Sequence, residues 1–213
     1  MHVLVIGANG KTGRKVVQQL ANSNQHIVRA MIRLTEQQED MEKLGAKPII
    51  ADLEQDFSYA LNDVNAVIFA AGSGSHTGPE KTIAVDQEGA IKAVQYAKEK
   101  GIERFVMLSS MGAGNPEAIS SPIQHYLIAK QKADQALVES SLDYTIVRPG
   151  ALTDDPGTGS VTTALAFQSV GPIPREDVAS VLVESLTTPE ASGKIFEVVS
   201  GDIPIEHALK NLP

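Results

Sequence analysis

The sequence predicts an α/β protein built on a doubly wound parallel sheet, and three observations carry that prediction. Val3-Leu4-Val5-Ile6 is apolar without alternation, as a strand buried on both faces of a parallel sheet should be. It runs straight into Gly7-Ala8-Asn9-Gly10-Lys11-Thr12-Gly13, after which Val16, Val17, Leu20 and Ala21 recur at helical spacing among Arg14, Lys15, Gln18 and Gln19. Strand-like and helix-like segments then alternate along the chain as far as Gly150.

The glycine-punctuated turn is the first of these joints. A turn between a buried strand and a helix presents unpaired backbone N–H groups and the positive end of the helix dipole, a ready site for a pyrophosphate. The glycines divide the work into a tight turn, close backbone approach to the phosphates and close packing of helix on strand. The spacing is G-x-x-G-x-x-G rather than the G-x-G-x-x-G of the common dinucleotide fingerprint. It is not a P-loop, because no Gly-Lys-Ser/Thr follows at the required distance.

The remaining elements follow in order. Ile27 to Ile32 reads as the second strand, Thr35 to Leu44 as a helix stopped by Gly45, and Pro48 to Ala51 as a third strand ending at Asp52. A weak helical patch, Phe57 to Leu61, precedes the fourth strand, Ala66 to Phe69, which opens through Ala70-Ala71-Gly72 into a loop from Ser73 to Pro79. A long helix spans Lys81 to Lys100 and stops at Gly101. Arg104 to Leu108 is the fifth strand, ending in Ser109-Ser110. The loop Met111 to Pro122 leads to a helix from Ile123 to Ser140, and Tyr144 to Val147 is the sixth strand, closing on Arg148-Pro149-Gly150. Beyond it, Asp154 to Gly159 reads as an exposed turn and Val161 to Phe167 as an extended segment over the sheet's end. Pro174, Glu176 and Asp177 start a helix carrying Val178, Val181, Leu182 and Leu186, and Ile195 to Val199 is the last strand.

With 213 residues and no interdomain linker, the expected organisation is one domain over 1–213, in which 151–213 includes a small substrate-side extension. The net charge of −8 argues against a nucleic-acid or anionic-membrane partner. No apolar run approaches the roughly 18 residues of a membrane span, and no presequence precedes the first strand, so the chain reads as cytoplasmic. Zero cysteines exclude disulfides, thiolate metal sites and a cysteine nucleophile. The histidines (His2, His26, His76, His125, His207) lack ligand spacing, so no metal site is expected.

In such sheets ligands sit beyond the carboxyl ends of the strands, near the switch in strand order. Arg33, twenty residues after Gly13, stands where an acid would otherwise read a ribose hydroxyl; an arginine suits a 2′-phosphate, with Arg14 in a position to help. The alternative for both is a solvated surface arginine. Asp52 could accept from an adenine amino group while Leu53 packs on the ring, or Asp52 is a plain turn acid. Ala70, Ala71 and Gly72 are small enough to let a ligand approach the fourth strand, or they simply begin a loop.

Ser110 at the end of the fifth strand joins Tyr126 and Lys130, which are i and i+4 on one helix and share a face. Carbonyl reduction needs a proton donor beside the substrate oxygen. A tyrosine serves if a neighbouring ammonium stabilises its phenolate, and a serine hydroxyl can polarise the same oxygen. Tyr126, Lys130, Ala133 and Leu137 also form an i, i+4, i+7, i+11 stripe that simple packing would explain.

Taken together these residues resemble the short-chain dehydrogenase/reductase superfamily in its atypical NAD(P)-binding branch, with biliverdin-IXβ/flavin reductases, NmrA-like proteins and small bacterial epimerase-like proteins. The resemblance covers nearly the whole chain. It rests on the glycine turn, Val85-Asp86-Gln87-Glu88-Gly89, Arg104 to Ser110, Tyr126-Leu127-Ile128-Ala129-Lys130 and Leu142 to Gly150. It implies a single Rossmann domain and a cofactor held by Gly7, Asn9, Gly10, Lys11, Thr12, Gly13, Arg14, Arg33, Asp52, Leu53, Ala70, Ala71 and Gly72. It also implies a catalytic set of Ser110, Tyr126 and Lys130, with Lys130 on the nicotinamide ribose and Pro149-Gly150 against the nicotinamide end. One departure is plain: the superfamily often carries an active-site asparagine on the helix before the fifth strand, and none occurs between Lys81 and Lys100.

The resulting expectation is an oxidoreductase using NADP(H) in preference to NAD(H) to reduce a small carbonyl, quinone or flavin-like substrate. A nucleotide-sugar epimerase or dehydratase is the second reading, weakened by the short stretch after Gly150, and a non-catalytic cofactor sensor is the third. Substrate choice falls to the loops Ser73–Pro79, Met111–Pro122 and Ala151–Gly171; substrate identity and oligomeric state are not readable.

Overall fold

A computed structural model describes residues 1–74, 77–119 and 122–213. Ser75 and His76 of the first specificity loop and Ser120 and Ser121 of the second lie outside the described residues. The chain runs β1 (His2–Ile6), α1 (Lys11–Asn22), β2 (Ile27–Ile32), α2 (Gln38–Lys43), β3 (Lys47–Ile50), β4 (Ala66–Phe69), α3 (Pro79–Thr82), a π-helical segment (Ile83–Gly89), α4 (Ala90–Glu99) and β5 (Arg104–Leu108). It continues as α5 (Gln124–Val138), β6 (Asp143–Pro149), β7 (Ala151–Thr153), β8 (Ser160–Ala164), β9 (Pro172–Pro174), α6 (Arg175–Ser185), β10 (Lys194–Ser200), β11 (Ile203–Pro204) and α7 (Ile205–Lys210).

The main sheet has the order β11-β8-β10-β6-β5-β4-β1-β2-β3. From β3 to β10 every pairing is parallel, so the ends of β1 to β6 open on one edge, and the order reverses between β1 and β4. Here the unalternating strands find their reason. Val3, Val5, Ala66, Ile68, Val106 and Val147 pack on one face with α1 and α6 residues such as Val16, Leu20, Val178 and Leu182. Leu4, Ile6, Val67, Phe69, Phe105, Met107 and Ile146 pack on the other with Ala93, Val94, Ala97, Ala133 and Leu137 of α4 and α5. Successive strand side chains point to opposite faces, and both faces are dry.

Several local expectations change. The segment Thr35 to Leu44 is a 3₁₀ turn, Thr35–Gln37, followed by α2. Phe57 to Leu61 holds a 3₁₀ turn at Ser58–Leu61. The single helix expected from Lys81 starts earlier, at Pro79, and is interrupted by the π segment. The extended segment after Gly159 does not lie over the sheet's end: β8 joins the sheet, antiparallel to β10. Nor is β10 the last strand, since β11 pairs with β8 and α7 follows. Short elements such as Ile203–Pro204 carry too little periodicity to be read.

Candidate cofactor and active site

At the switch point, the three glycines of the first loop differ in what they require. Gly7 has φ +83°, and a Cβ there would lie 2.5 Å from both N and Cα of Ala71. The backbone after β4 thus closes on the end of β1, and only a glycine fits at position 7. Gly13 sits over the turn, where a Cβ would fall 2.1 Å from the Gly7 carbonyl oxygen. Gly10 is different: its backbone is extended (φ −70°, ψ 162°), it is exposed, and a Cβ would meet only the Gly7 oxygen, at 3.3 Å. The fold asks less of position 10 than of positions 7 and 13, since a few tenths of an ångström would relieve that contact. Gly10 N-caps α1 without a side-chain cap, no acid stands in the first turn, and the first helical hydrogen bond is Arg14 N to Gly10 O. The amides of Lys11, Thr12 and Gly13 thus point out of α1 with no backbone acceptor among the described residues. This cradle fits a dinucleotide pyrophosphate.

The cations around the cradle are arranged unequally. Arg14 donates to Asn9 Oδ1 at 2.6 Å and to Asp40 Oδ2 at 2.7 Å, so it braces the loop onto α2. Arg33, exposed after β2, has no side-chain partner among the described residues. Lys11 is paired with Asp154, which also accepts from Arg175 at 2.6 Å, so the loop after β7 is latched onto the glycine turn. The two cations hold the exposed Asp154 carboxyl below the usual carboxylate range, Lys11 by its hydrogen bond most of all. At the end of β3, Asp52 Oδ1 accepts from Glu54 N at 2.9 Å, the turn role foreseen as an alternative. Leu53 is buried against Gly89, whose absent side chain leaves it room. A recess of about 490 Å³ lined by Glu54, Gly78, Pro79, Glu80, Lys81 and Ala84 opens beside this corner.

At the other side, Tyr126 and Lys130 of α5 lie together, and Lys130 reaches the carbonyl of Leu108 at the end of β5, two residues before Ser110. Ser110 Oγ is half-buried and donates to Met111 O at 3.3 Å. The Lys130 ammonium lies 5.7 Å from the Tyr126 ring centroid. It is 3% exposed, donates to Leu108 O at 3.2 Å and Ala71 O at 3.4 Å, and forms an ion pair with Asp86 Oδ1 at 3.2 Å. A ribose hydroxyl would reach Lys130 only by displacing one of these, the Ala71 contact being the longest. Burial pulls the Lys130 ammonium down, but Tyr126, Asp86 and Asp134 together outweigh it and raise its pKa. The stripe through Ala133 and Leu137 also exists, with both residues fully buried. The helix face therefore serves packing at one end and polar chemistry at the other.

Four acids of this region escaped the sequence reading as site residues. Asp86, fully buried on the π segment, accepts from Ser73 N at 2.9 Å and faces Lys130. Asp134, one turn below Lys130, accepts from Ser109 Oγ at 2.9 Å and from Arg148 Nε and Nη2 at 3.0 and 2.9 Å. Its burial pushes its carboxyl up despite Arg148 and Ser109. Glu197 on β10 accepts from Phe167 N at 2.7 Å and Gly112 N at 3.4 Å, joining two substrate-side loops. Asp154 is the latch on Lys11. One signal was available: Asp86 and Asp134 are acids on faces otherwise made of Val85, Ala90, Ala133 and Leu137.

A doubly wound sheet with an uncapped glycine turn at its switch point defines a nicotinamide-dinucleotide-binding protein. Residues 7–189 match the NAD(P)H-binding family model, and the chain belongs to that family. It is 41% identical over 215 residues to the sugar epimerase YhfK of Bacillus subtilis, itself uncharacterized, covering 100% of both chains. A candidate NAD-dependent epimerase/dehydratase from Bacillus halodurans has the same fold at TM-score 0.96 and 46% identity over 100% of both chains. The oxidoreductase ylbE of Lactococcus lactis superposes at TM-score 0.87 with 28% identity, covering 100% of this chain and 96% of its own. These likenesses agree with the resemblance to atypical short-chain dehydrogenases/reductases. Among the described residues, no helix is long and apolar enough to cross a membrane.

Proposed function

We propose that the protein is an NADP(H)-dependent oxidoreductase that reduces a small carbonyl, quinone or flavin-like acceptor at Ser110, Tyr126 and Lys130. The observation that carries the reading is the Tyr126/Lys130 pair, whose ammonium reaches the carbonyls of Ala71, just after β4, and Leu108, at the end of β5, with Ser110 two residues beyond Leu108. The amides of Lys11, Thr12 and Gly13 bind and orient the pyrophosphate, and the unpartnered Arg33 takes the 2′-phosphate. The reduced nicotinamide supplies the hydride when bound. Tyr126 donates the proton to the acceptor oxygen, Ser110 turns from its own Met111 carbonyl to polarise that oxygen, and Lys130 offsets the charge left on the phenol.

The fate of residues 151–213 favours this reading over an epimerase or dehydratase of a nucleotide sugar. β8, β10 and β11 complete the sheet and α6 packs beside α1, with Gln19 donating to Ser180 Oγ at 3.0 Å. The short β7–β9 pair and its loops are what is left for a substrate lobe.

The test is Tyr126→Phe, assayed with NADPH against an aldehyde, a quinone and a flavin. Aldehyde reduction should fall by about 10²- to 10⁴-fold with NADPH binding retained. Flavin reduction should fall less, since direct hydride transfer to that acceptor needs no protein acid. Equal rates for the variant and the unmodified protein on every active acceptor would refute the role of Tyr126.

A further inference from the structure

Asp86 sits at the centre of the polar cluster yet has no place in the reaction as proposed. It lies on a π-helical segment, a rare geometry frequent at functional sites, and none of its surface is exposed. One carboxylate oxygen accepts from Ser73 N at 2.9 Å and the other lies 3.2 Å from Lys130 Nζ. A Cβ on Gly72 would come within 3.3 Å of that second oxygen, so the chain after β4 closes directly over the ion pair. The pair thus joins three elements: the π segment, α5 and the Gly72–Ser73 corner of the cofactor cleft. It stands on the helix before β5, where the sequence lacks the asparagine often found in the superfamily.

We propose that Asp86 is a positioning residue of the active site: a buried counter-ion that fixes the Lys130 ammonium, keeps it charged, and ties it to the Gly72–Ser73 corner. The catalytic consequence rests on the function proposed above; the ion pair itself does not.

Two ions withdrawn from water are costly, and packing alone would be served as well by apolar residues of similar volume. A lysine with no counter-ion at this depth would lose its proton easily. The groups facing Lys130 are Asp86 from the π segment, Asp134 and Tyr126 from its own helix, and the carbonyls of Leu108 and Ala71. Arg148 of β6 already occupies Asp134 through two hydrogen bonds, so Asp86 is the acid free to balance Lys130. A raised lysine pKa gives stability that is complete below the unfolded value and is lost as pH rises through the folded one. Without Asp86 that loss moves to lower pH.

The experiment is Asp86→Asn, which keeps the shape and the acceptor for Ser73 N but removes the charge. Lys130 is followed by NMR of its side-chain carbon and nitrogen across an alkaline titration, in the protein without cofactor or acceptor. In the unmodified protein Lys130 should stay charged beyond the ordinary lysine midpoint, and in Asp86→Asn the midpoint should drop by at least about one pH unit. An unchanged midpoint in a folded Asp86→Asn protein overturns the proposal. Should that variant fail to fold, Asp86→Asn/Lys130→Met, which removes both charges, should fold again; failure of the double variant as well would make Asp86 structural and overturn the role. Where an acceptor is turned over, the alkaline limb of kcat should move down in Asp86→Asn, because Lys130 discharges earlier. A limb that stays in place while the NMR midpoint moves would contradict the catalytic role of Lys130, not the ion pair.

Discussion

A β-carbon on Gly13 would lie 2.1 Å from the carbonyl oxygen of Gly7, an overlap that no side-chain rotation relieves. The same oxygen would be 3.3 Å from a β-carbon on Gly10, a tight contact that a shift of a few tenths of an ångström relieves. Two glycines three residues apart in one motif are thus retained for different reasons. Gly13 is needed by the fold itself, whereas the fold asks much less of Gly10, which on the proposed reading is kept for the approach of a pyrophosphate.

The two glycines should therefore respond oppositely to substitution. Gly13→Ala forces backbone apart at the base of the cleft and should cost at least about 1–3 kcal/mol of stability, read by chemical denaturation. Gly10→Val should leave the denaturation midpoint nearly unchanged and weaken NADPH by roughly 10-fold or more, read by calorimetric titration. Normal NADPH affinity in Gly10→Val would put the phosphate site elsewhere.

Arg33 should set the choice of cofactor. Because it is exposed and unpartnered, Arg33→Ala has no fold contact to lose. It should weaken NADPH about 10- to 100-fold, as loss of a charge-assisted hydrogen bond predicts, and barely affect NADH. Arg14→Ala should weaken both cofactors alike, since Arg14 braces the loop through Asn9 and Asp40. Equal affinities of the unmodified protein for the two cofactors would sink this assignment.

Asp154 competes for Lys11. The pair is exposed at both ends, with side chains 69% and 59% accessible, so it adds little to stability. Asp154→Asn should free the Lys11 ammonium for a phosphate oxygen and tighten NADPH, most visibly at low ionic strength. Weaker NADPH binding in this variant would show the latch to be part of the cofactor site instead.

Glu197 should govern the acceptor rather than the cofactor. It holds Phe167 N and Gly112 N from two loops on the substrate side. Glu197→Ala leaves both amides without their acceptor, at about 1–3 kcal/mol for each that stays buried. The expected kinetic result is a raised KM for the acceptor with NADPH affinity preserved; a fall in NADPH affinity alone would contradict it.

Much of this architecture was legible because parallel strands buried on both faces leave a simple mark. Val3 to Ile6, Ala66 to Phe69 and Arg104 to Leu108 were each readable to within a residue, and so was the joint of β1 to α1 through the glycine turn. The edge of the sheet was less so: β8 and β11 are short and mixed, and only the pairing of β8 with β10 and of β11 with β8 makes them strands. The π segment left no periodic signature, because one irregular turn inside a long helix barely disturbs the apolar pattern. Tyr126 and Lys130 were legible as a helix face, whereas the partners of Lys130 were not. Asp86 is 44 positions away in sequence, and nothing local shows that an acid in an apolar stretch faces inward to a lysine on another helix.

The central claim, a nicotinamide cleft that passes a hydride to an acceptor beside Tyr126, is tested most directly by single-turnover oxidation of protein-bound NADPH. The protein is loaded with NADPH and mixed rapidly with an aldehyde, a quinone or a flavin, and the loss of the reduced nicotinamide signal is followed against the appearance of reduced acceptor. The account predicts one reduced acceptor for each NADPH oxidised, faster than in free solution, and slowed for the aldehyde by Tyr126→Phe. Tight NADPH binding with no oxidation by any acceptor class would contradict it and leave a protein that senses the cofactor without using it.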